Sequence, residues 1–235
     1  MNSMHAGESA LRELICEIGR RLYARGLVAG NDGNLSIRLD AGRVLCTPTL
    51  MSKGFMSPDD LCIVDLAGEQ LAGRRKLTSE IRLHLEIYRG DAAAGAVVHC
   101  HAPHATAFAI ANEPIPSGIS PEMEVFIGQV PMSDYMTPGT AEFAATICPF
   151  LGTANTVVLA NHGIVCWAAE LERAYWQAEI LDQYCRMLIL SRLIGGPRRL
   201  APEAMQALLD ARGAYGMPPD ARASGGAPLF QNLQF

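Results

Sequence analysis

The chain reads as a single α/β domain, and three observations lead there. Leu35-Ser36-Ile37-Arg38, Val44-Leu45-Cys46-Thr47 and Leu61-Cys62-Ile63-Val64-Asp65 are short apolar or alternating segments between Gly- and Asp-containing turns, the pattern of an antiparallel meander. Leu11, Leu14, Ile15, Ile18 and Leu22 near the start, and Leu171, Ala174, Tyr175, Ala178, Leu181, Cys185, Leu188 and Ile189 near the end, recur at the spacing of amphipathic helices. With 235 residues, 49% of them hydrophobic, the chain can bury one sizeable core. One domain is expected over residues 1–217, with 218–235 as a C-terminal tail.

Composition excludes several classes. The formal charge of −5 is spread along the chain without a basic stripe, so neither nucleic acid nor an anionic membrane is an expected partner, and a small soluble molecule is. Seven cysteines, at 16, 46, 62, 100, 148, 166 and 185, form no CxxC pair and read as reduced core residues. No basic leader precedes an apolar run, and no run approaches the roughly 18 apolar residues of a membrane span. The cytoplasm is the expected compartment.

In chain order, Gly26 closes the first helix. Ala29-Gly30-Asn31-Asp32-Gly33-Asn34 then leads into the first strand, either as a plain turn or as a place where Gly33 lets backbone approach an anion while Asn34 and Ser36 donate to it. Pro48-Thr49-Leu50-Met51-Ser52-Lys53-Gly54 is a polar loop at a strand end, its side chains solvated or turned to a ligand. Thr78-Ser79-Glu80 opens a helix with Ile81, Leu85 and Tyr88 on one side and Thr78 or Ser79 as its cap. Hydroxyls, free N–H groups and the positive helix end suit a phosphate or carboxylate there. Glu80, in the first turn, either stabilises the dipole or stands as a carboxylate beside a metal; His84, one turn on, is expected to pack.

Val97-Val98-His99-Cys100-His101-Ala102-Pro103-His104 is a β-branched strand running into imidazoles. Alternation puts His99 and His101 on one face and Cys100 on the other, and Pro103 stops the strand. Two imidazoles on one face either chelate an ion or are simply satisfied at a strand end, and a third ligand must decide. Further on, Ala105–Ile110 reads as a helix, Glu122 and Glu124 as solvated acids, Tyr135 as packing, and Phe143, Ile147 and Phe150 as a helix closed by Pro149. Thr156–Trp167 reads as one buried strand broken at His162-Gly163. An unpaired imidazole in that apolar run is unfavourable, so His162 needs a partner. With His99 and His101 it makes three nitrogens and leaves a fourth position open, as at a catalytic rather than a structural zinc-type site.

Gly33-Asn34-Leu35-Ser36, Thr47-Pro48-Thr49, Thr78-Ser79-Glu80, Val97-Val98-His99-Cys100-His101 and Asn161-His162-Gly163 stand in the order of the class II aldolase/adducin family, which the chain resembles over residues 8–217. The resemblance implies a three-layer α/β/α sandwich around a mostly antiparallel mixed sheet. It implies His99, His101 and His162 as metal ligands and Glu80 as catalytic acid/base. Asn34, Thr49, Thr78 and Ser79 match positions that hold substrate phosphate, and Tyr215, followed by Gly216, matches a proton donor of its own or a neighbouring subunit. One divalent metal per subunit is implied, zinc first, with Mn, Co or Fe as alternatives; so is a homotetramer.

The function expected is that of a divalent-metal-dependent aldolase, cleaving or forming a carbon–carbon bond in a small, sugar-phosphate-like hydroxy-ketone through a metal-stabilised enediolate. A decarboxylase or epimerase of a small hydroxy or oxo acid or sugar phosphate would use the same enediolate. A non-catalytic adducin-like interaction domain is the alternative of another kind, weakened by the presence of all three histidines and Glu80. Two features depart from the family: the stretch from Ile119 to Glu124 holds no counterpart of the family's second active-site tyrosine, and Leu50 stands where the aldolases have glycine after Thr-Pro-Thr. Leucine disfavours positive φ, so the phosphate cradle is expected to be reshaped, with Lys53 as a flexible point charge for an anionic substrate.

Overall fold

The computed structural model describes residues 7–218 and 220–224. Its elements are α1 (Glu8–Ala24), β1 (Asn34–Arg38), β2 (Arg43–Cys46), β3 (Cys62–Asp65), β4 (Gln70–Ala72), α2 (Ile81–Gly90), β5 (Ala96–Cys100), α3 (Pro103–Ala111), β6 (Met132–Ser133), α4 (Ala141–Ala145), β7 (Thr156–Leu159), β8 (Gly163–Ala168), α5 (Leu171–Arg192) and α6 (Pro202–Ala211). Among the described residues the strands make one sheet in the order β4-β3-β2-β1-β5-β8-β7-β6. Every neighbouring pair is antiparallel except β6 with β7. The expected meander is β1 to β4, and the mixed, mostly antiparallel sheet is as expected.

Strand alternation feeds two cores, one on each face. Leu35, Ile37, Leu45, Val98, Cys100 and Ile164 pack with α1, α3 and α5, and the buried stripes of α1 and α5 are those read from the sequence. Val44, Val64, Val97, Val157 and Val165 pack with α2 and α4. The result is three layers. No helix of the described residues is long and apolar enough to cross a membrane. All seven cysteines are free, and all but Cys148 are buried.

Local structure departs from expectation in three places. Thr156–Trp167 is two antiparallel strands, not one: Leu159 pairs with Gly163, and Asn161 turns the chain at φ 56°, a left-handed conformation that asparagine tolerates better than most residues. Glu80 itself occupies the position before α2, with no side-chain cap; Thr78 Oγ1 accepts a long 3.4 Å hydrogen bond from the Glu80 N–H. Residues 220–224 pack against the domain: Arg222 pairs with Asp220 (2.6 Å) and with Glu124 (2.8 Å), and Glu124, expected to be solvated, is fully buried. Of the expected tail, 219 and 225–235 lie outside the described residues.

Candidate metal centre

The carboxyl end of β5 meets the β7–β8 turn and the start of β1. Asn34 lies opposite His99 in the β1–β5 ladder, and His99 lies opposite Val165 in the β5–β8 ladder. His99, His101 and His162 therefore converge, with ring centroids 4.8–5.0 Å apart and ligand nitrogens all within 4.8 Å of one another. Two glycines permit the approach. A Cβ on Gly33, which has φ 68°, would lie 2.9 Å from the His99 carbonyl oxygen, so this glycine serves backbone packing at the site. A Cβ on Gly163 would lie 2.6 Å from the Cys100 carbonyl oxygen and 2.9 Å from the His101 ring.

The nitrogens are arranged as ligands. His99 Nδ1–H donates to the Ile164 carbonyl oxygen (2.9 Å), so in the neutral ring Nε2 carries the lone pair, and it faces His101 Nε2, 3.2 Å away. Nitrogens held about 2.0–2.1 Å from one tetrahedral ion stand about 3.3 Å apart, so this spacing fits a shared divalent cation. Burial, reinforced by the neighbouring imidazoles, lowers the His101 and His162 pKa values to about 4, so both rings are neutral and able to ligate near neutral pH. Burial opposes protonation of His99 as well, but the Glu80 charge and the Ile164 carbonyl outweigh it and raise that pKa.

Glu80 faces the same point. Its Oε2 lies 3.2 Å from His99 Nε2 and its Oε1 3.3 Å from His162 Nε2. Burial alone would raise its pKa, yet His99, His162 and the Asn34 amide bring it far below the usual carboxylate range. Asp32 Oδ2 stands 3.5 Å from His101 Nδ1. Three imidazoles and a buried carboxylate around one point form a donor set for a divalent metal, and the residues fit that group.

Comparison with known proteins agrees with this geometry. The family described as Class II Aldolase and Adducin N-terminal domain matches residues 13–189. The chain belongs to that family. An L-fuculose phosphate aldolase from Methanococcus vannielii is 37% identical over 177 residues, 75% of this chain and 94% of that protein. A 3-oxo-tetronate 4-phosphate decarboxylase from Cupriavidus necator is 32% identical over 212 residues, 88% of this chain and 97% of that protein. A solved L-fuculose 1-phosphate aldolase superposes with a TM-score of 0.81 at 26% identity, covering 92% of this chain and 100% of the other. The class II aldolase fold expected from the motifs is the fold observed.

The remaining residues expected at the site of this family member fall into two groups. Thr49 and Thr78 lie on two stretches zipped together, Thr49 N–H donating to the Lys76 carbonyl (3.0 Å) and Thr78 N–H to the Thr47 carbonyl (3.2 Å), with Ser79 exposed beside them. Asn34 is 4% exposed and its amide is committed, Nδ2–H donating to Glu80 Oε2 (2.8 Å) and Oδ1 facing His84 Nε2 (2.5 Å). One of its two amide N–H groups is thereby taken by the carboxylate. Lys53 is not a flexible surface charge: it is 1% exposed, and Nζ donates to the Asn31 carbonyl (3.0 Å) and the Met51 carbonyl. Burial lowers its pKa to about 8 against the pull of Asp32 and Glu80. Leu50 adopts φ 55° after all, with 80% of its surface exposed, so the backbone keeps the course a glycine would take.

Tyr215 is at the other end of the sheet. It borders a cavity of about 780 Å³ with Ala94, before β5, and Ala169, after β8, and stacks edge-on with Phe126 (5.5 Å). The histidines lie where β5 ends, roughly 13 Å further along at about 3.3 Å per residue, so within one chain Tyr215 does not join them. Two residues at the site escape a reading of the sequence. Asp32 is hidden in an ordinary polar turn. His84, expected only to pack, carries a usable signal, because it lies four residues after Glu80 on the same side of the helix.

Proposed function

We propose that this protein is a divalent-metal-dependent carbon–carbon lyase, acting as an aldolase on a small phosphorylated hydroxy-ketone. The observation that carries this is Glu80, a buried carboxylate bridging His99 and His162 at the mouth of a three-nitrogen donor set. His99, His101 and His162 would hold the metal, zinc by the chemistry of three imidazoles with an open position. A divalent cation held there would supply Lewis acidity to a substrate carbonyl.

The chain's own groups do the rest. Glu80 holds and moves the proton at the carbon next to the carbonyl, through an oxygen fixed by Asn34. The exposed Ser79 hydroxyl, with Thr49 and Thr78 on the adjoining stretches, receives the phosphate, and the buried Lys53 ammonium adds positive charge behind them. Tyr215, remote from its own histidines and exposed, serves a neighbouring subunit in a homotetramer, where it moves a proton at the aldehyde-side oxygen. The free, mostly buried thiols suit a reducing cytoplasm.

A second reading, decarboxylation of a small 3-oxo acid phosphate, is favoured by the match to the Cupriavidus decarboxylase, which extends over 88% of this chain. Either bond leaves its electron pair on the carbon beside the ketone, so the site serves both. The test is to supply zinc-loaded protein with L-fuculose 1-phosphate and, separately, with 3-oxo-tetronate 4-phosphate, measuring aldehyde and carbon dioxide. Aldehyde release supports the aldolase, carbon dioxide release the second reading, and turnover of neither with full metal content refutes both.

A further inference from the structure

Behind Glu80 runs a buried chain of side chains that the proposed reaction does not use directly. Asn34 Nδ2 contacts Glu80 Oε2 (2.8 Å), Asn34 Oδ1 contacts His84 Nε2 (2.5 Å), His84 Nδ1 contacts Ser36 Oγ (2.7 Å), and Ser36 Oγ contacts the Tyr88 hydroxyl (2.8 Å). All four of Asn34, Ser36, His84 and Tyr88 are 4% exposed or less. Their positions follow from two elements. Asn34 and Ser36 are alternate residues of β1 and share a face, while His84 and Tyr88 are one turn apart on α2.

The direction of every hydrogen bond is forced. An ionised carboxylate only accepts, so Asn34 must turn its N–H to Glu80 and its oxygen to His84. His84 Nε2 must then carry a proton. A buried imidazole without a carboxylate partner is neutral, so Nδ1 accepts the Ser36 O–H, and Ser36 accepts the Tyr88 O–H. The opposite order would set the Asn34 oxygen against the Glu80 oxygen, two acceptors in van der Waals contact within a buried site.

We propose that His84 is a positioning residue: its Nε2–H locks the Asn34 amide in the one orientation that donates to Glu80, and so fixes the carboxylate at the metal centre. The inference rests on Glu80 as proton carrier only for its effect on rate; the direction of the chain stands apart from it. Donors polarised in one direction strengthen one another, and a misplaced base costs rate more than affinity.

Two measurements test this. In zinc-loaded protein with ¹⁵N-labelled histidine and no substrate, one imidazole, identified by its absence from the His84→Gln spectrum, should be neutral with its proton on Nε2 from pH 6 to 9. A proton on Nδ1, or on both nitrogens, would overturn the proposal whatever the reaction proves to be. In the second, loss of the α-proton of dihydroxyacetone phosphate is followed in deuterated buffer. His84→Gln, whose amide N–H replaces Nε2–H, should retain most of the parental rate. His84→Asn, whose amide reaches only the Nδ1 side, should lose about 10- to 100-fold in kcat with KM changed less than about threefold and metal content intact. Equal losses in both variants, or none in either, would overturn the positioning role. Failure of the parent to exchange this probe would count against the proposed reaction, and the tautomer would still decide the chain.

Discussion

Gly163 stands so close to Cys100 that a Cβ on it would lie 2.6 Å from the Cys100 carbonyl oxygen, and 2.9 Å from the ring of His101. The glycine beside His162 is therefore there for clearance, letting the β7–β8 turn bring one imidazole against the other two. Gly163→Ala should push the turn outward and weaken zinc binding by about 10- to 100-fold, as loss of support around a ligand does. Competition against a chromogenic chelator measures it, and an unchanged affinity would show that the turn tolerates the extra carbon.

His162 and Glu80 should separate metal binding from proton transfer. His162→Ala removes one of three nitrogens and should lose bound metal and activity together. Glu80→Gln keeps the three imidazoles and should retain the metal while losing about 10²- to 10⁴-fold in turnover, the usual worth of a general base. Metal analysis alongside kinetics distinguishes them. Parental activity in Glu80→Gln would remove the carboxylate from the mechanism.

The three histidines are legible in the sequence because their reasons are local. Alternation along a strand puts His99 and His101 on one side, and an imidazole in an apolar run such as Thr156–Trp167 has to be explained. The sheet and its helices are legible for the same cause, since period-two and helical stripes are written in consecutive residues. What the sequence hides depends on contacts across distant segments. Asn34 looks like a free donor until β1 is set beside α2, where Glu80 and His84 claim both ends of its amide. Lys53 and Glu124 look solvated because a charge in a loop usually is; only the fold supplies the Asn31 and Met51 carbonyls to one and Arg222 to the other.

Arg222 makes a strong prediction about stability. Glu124 has no exposed surface, and its carboxylate accepts from Arg222 (2.8 Å) and from the Gly118 N–H (2.5 Å). Arg222→Ala leaves that charge buried with its main partner gone, which should cost about 3–5 kcal/mol of unfolding free energy. Urea unfolding measures the loss. A change below about 1 kcal/mol would mean that Asp220–Ser224 is held too loosely to matter.

Lys53 predicts a pH dependence of opposite sense to that of an ion-paired lysine. Its pKa is about 8 in the fold against 10.5 for a free side chain, because burial disfavours the charge. Between those values the unfolded chain binds a proton that the folded chain does not, so unfolding free energy rises with pH across this window. Below about pH 8 both states are charged and the cost of burial is fully felt. Relative to Lys53→Met, which has no such proton, the parent's Tm should climb between pH 8 and 10.5. A flat difference would place the lysine outside the buried pocket.

Leu50 carries the last prediction, because its side chain argues for a redirected loop and the backbone does not redirect. It sits at φ 55° with the isobutyl group 80% exposed, so the left-handed conformation is imposed without packing to compensate. For a residue with a Cβ that conformation costs about 1–2 kcal/mol, and glycine adopts it freely. Part of the gain from Leu50→Gly is offset by the greater freedom glycine gives the unfolded chain, about 0.4–1 kcal/mol. The balance is about 0.5–1 kcal/mol in favour of the variant, a rise of about 1–4 °C in Tm for a chain of this size. Leu50→Ala keeps the Cβ and should gain nothing. Calorimetry on the two variants separates relief of strain from loss of an exposed apolar group: equal shifts would assign the effect to the side chain, and a shift in glycine alone assigns it to the backbone.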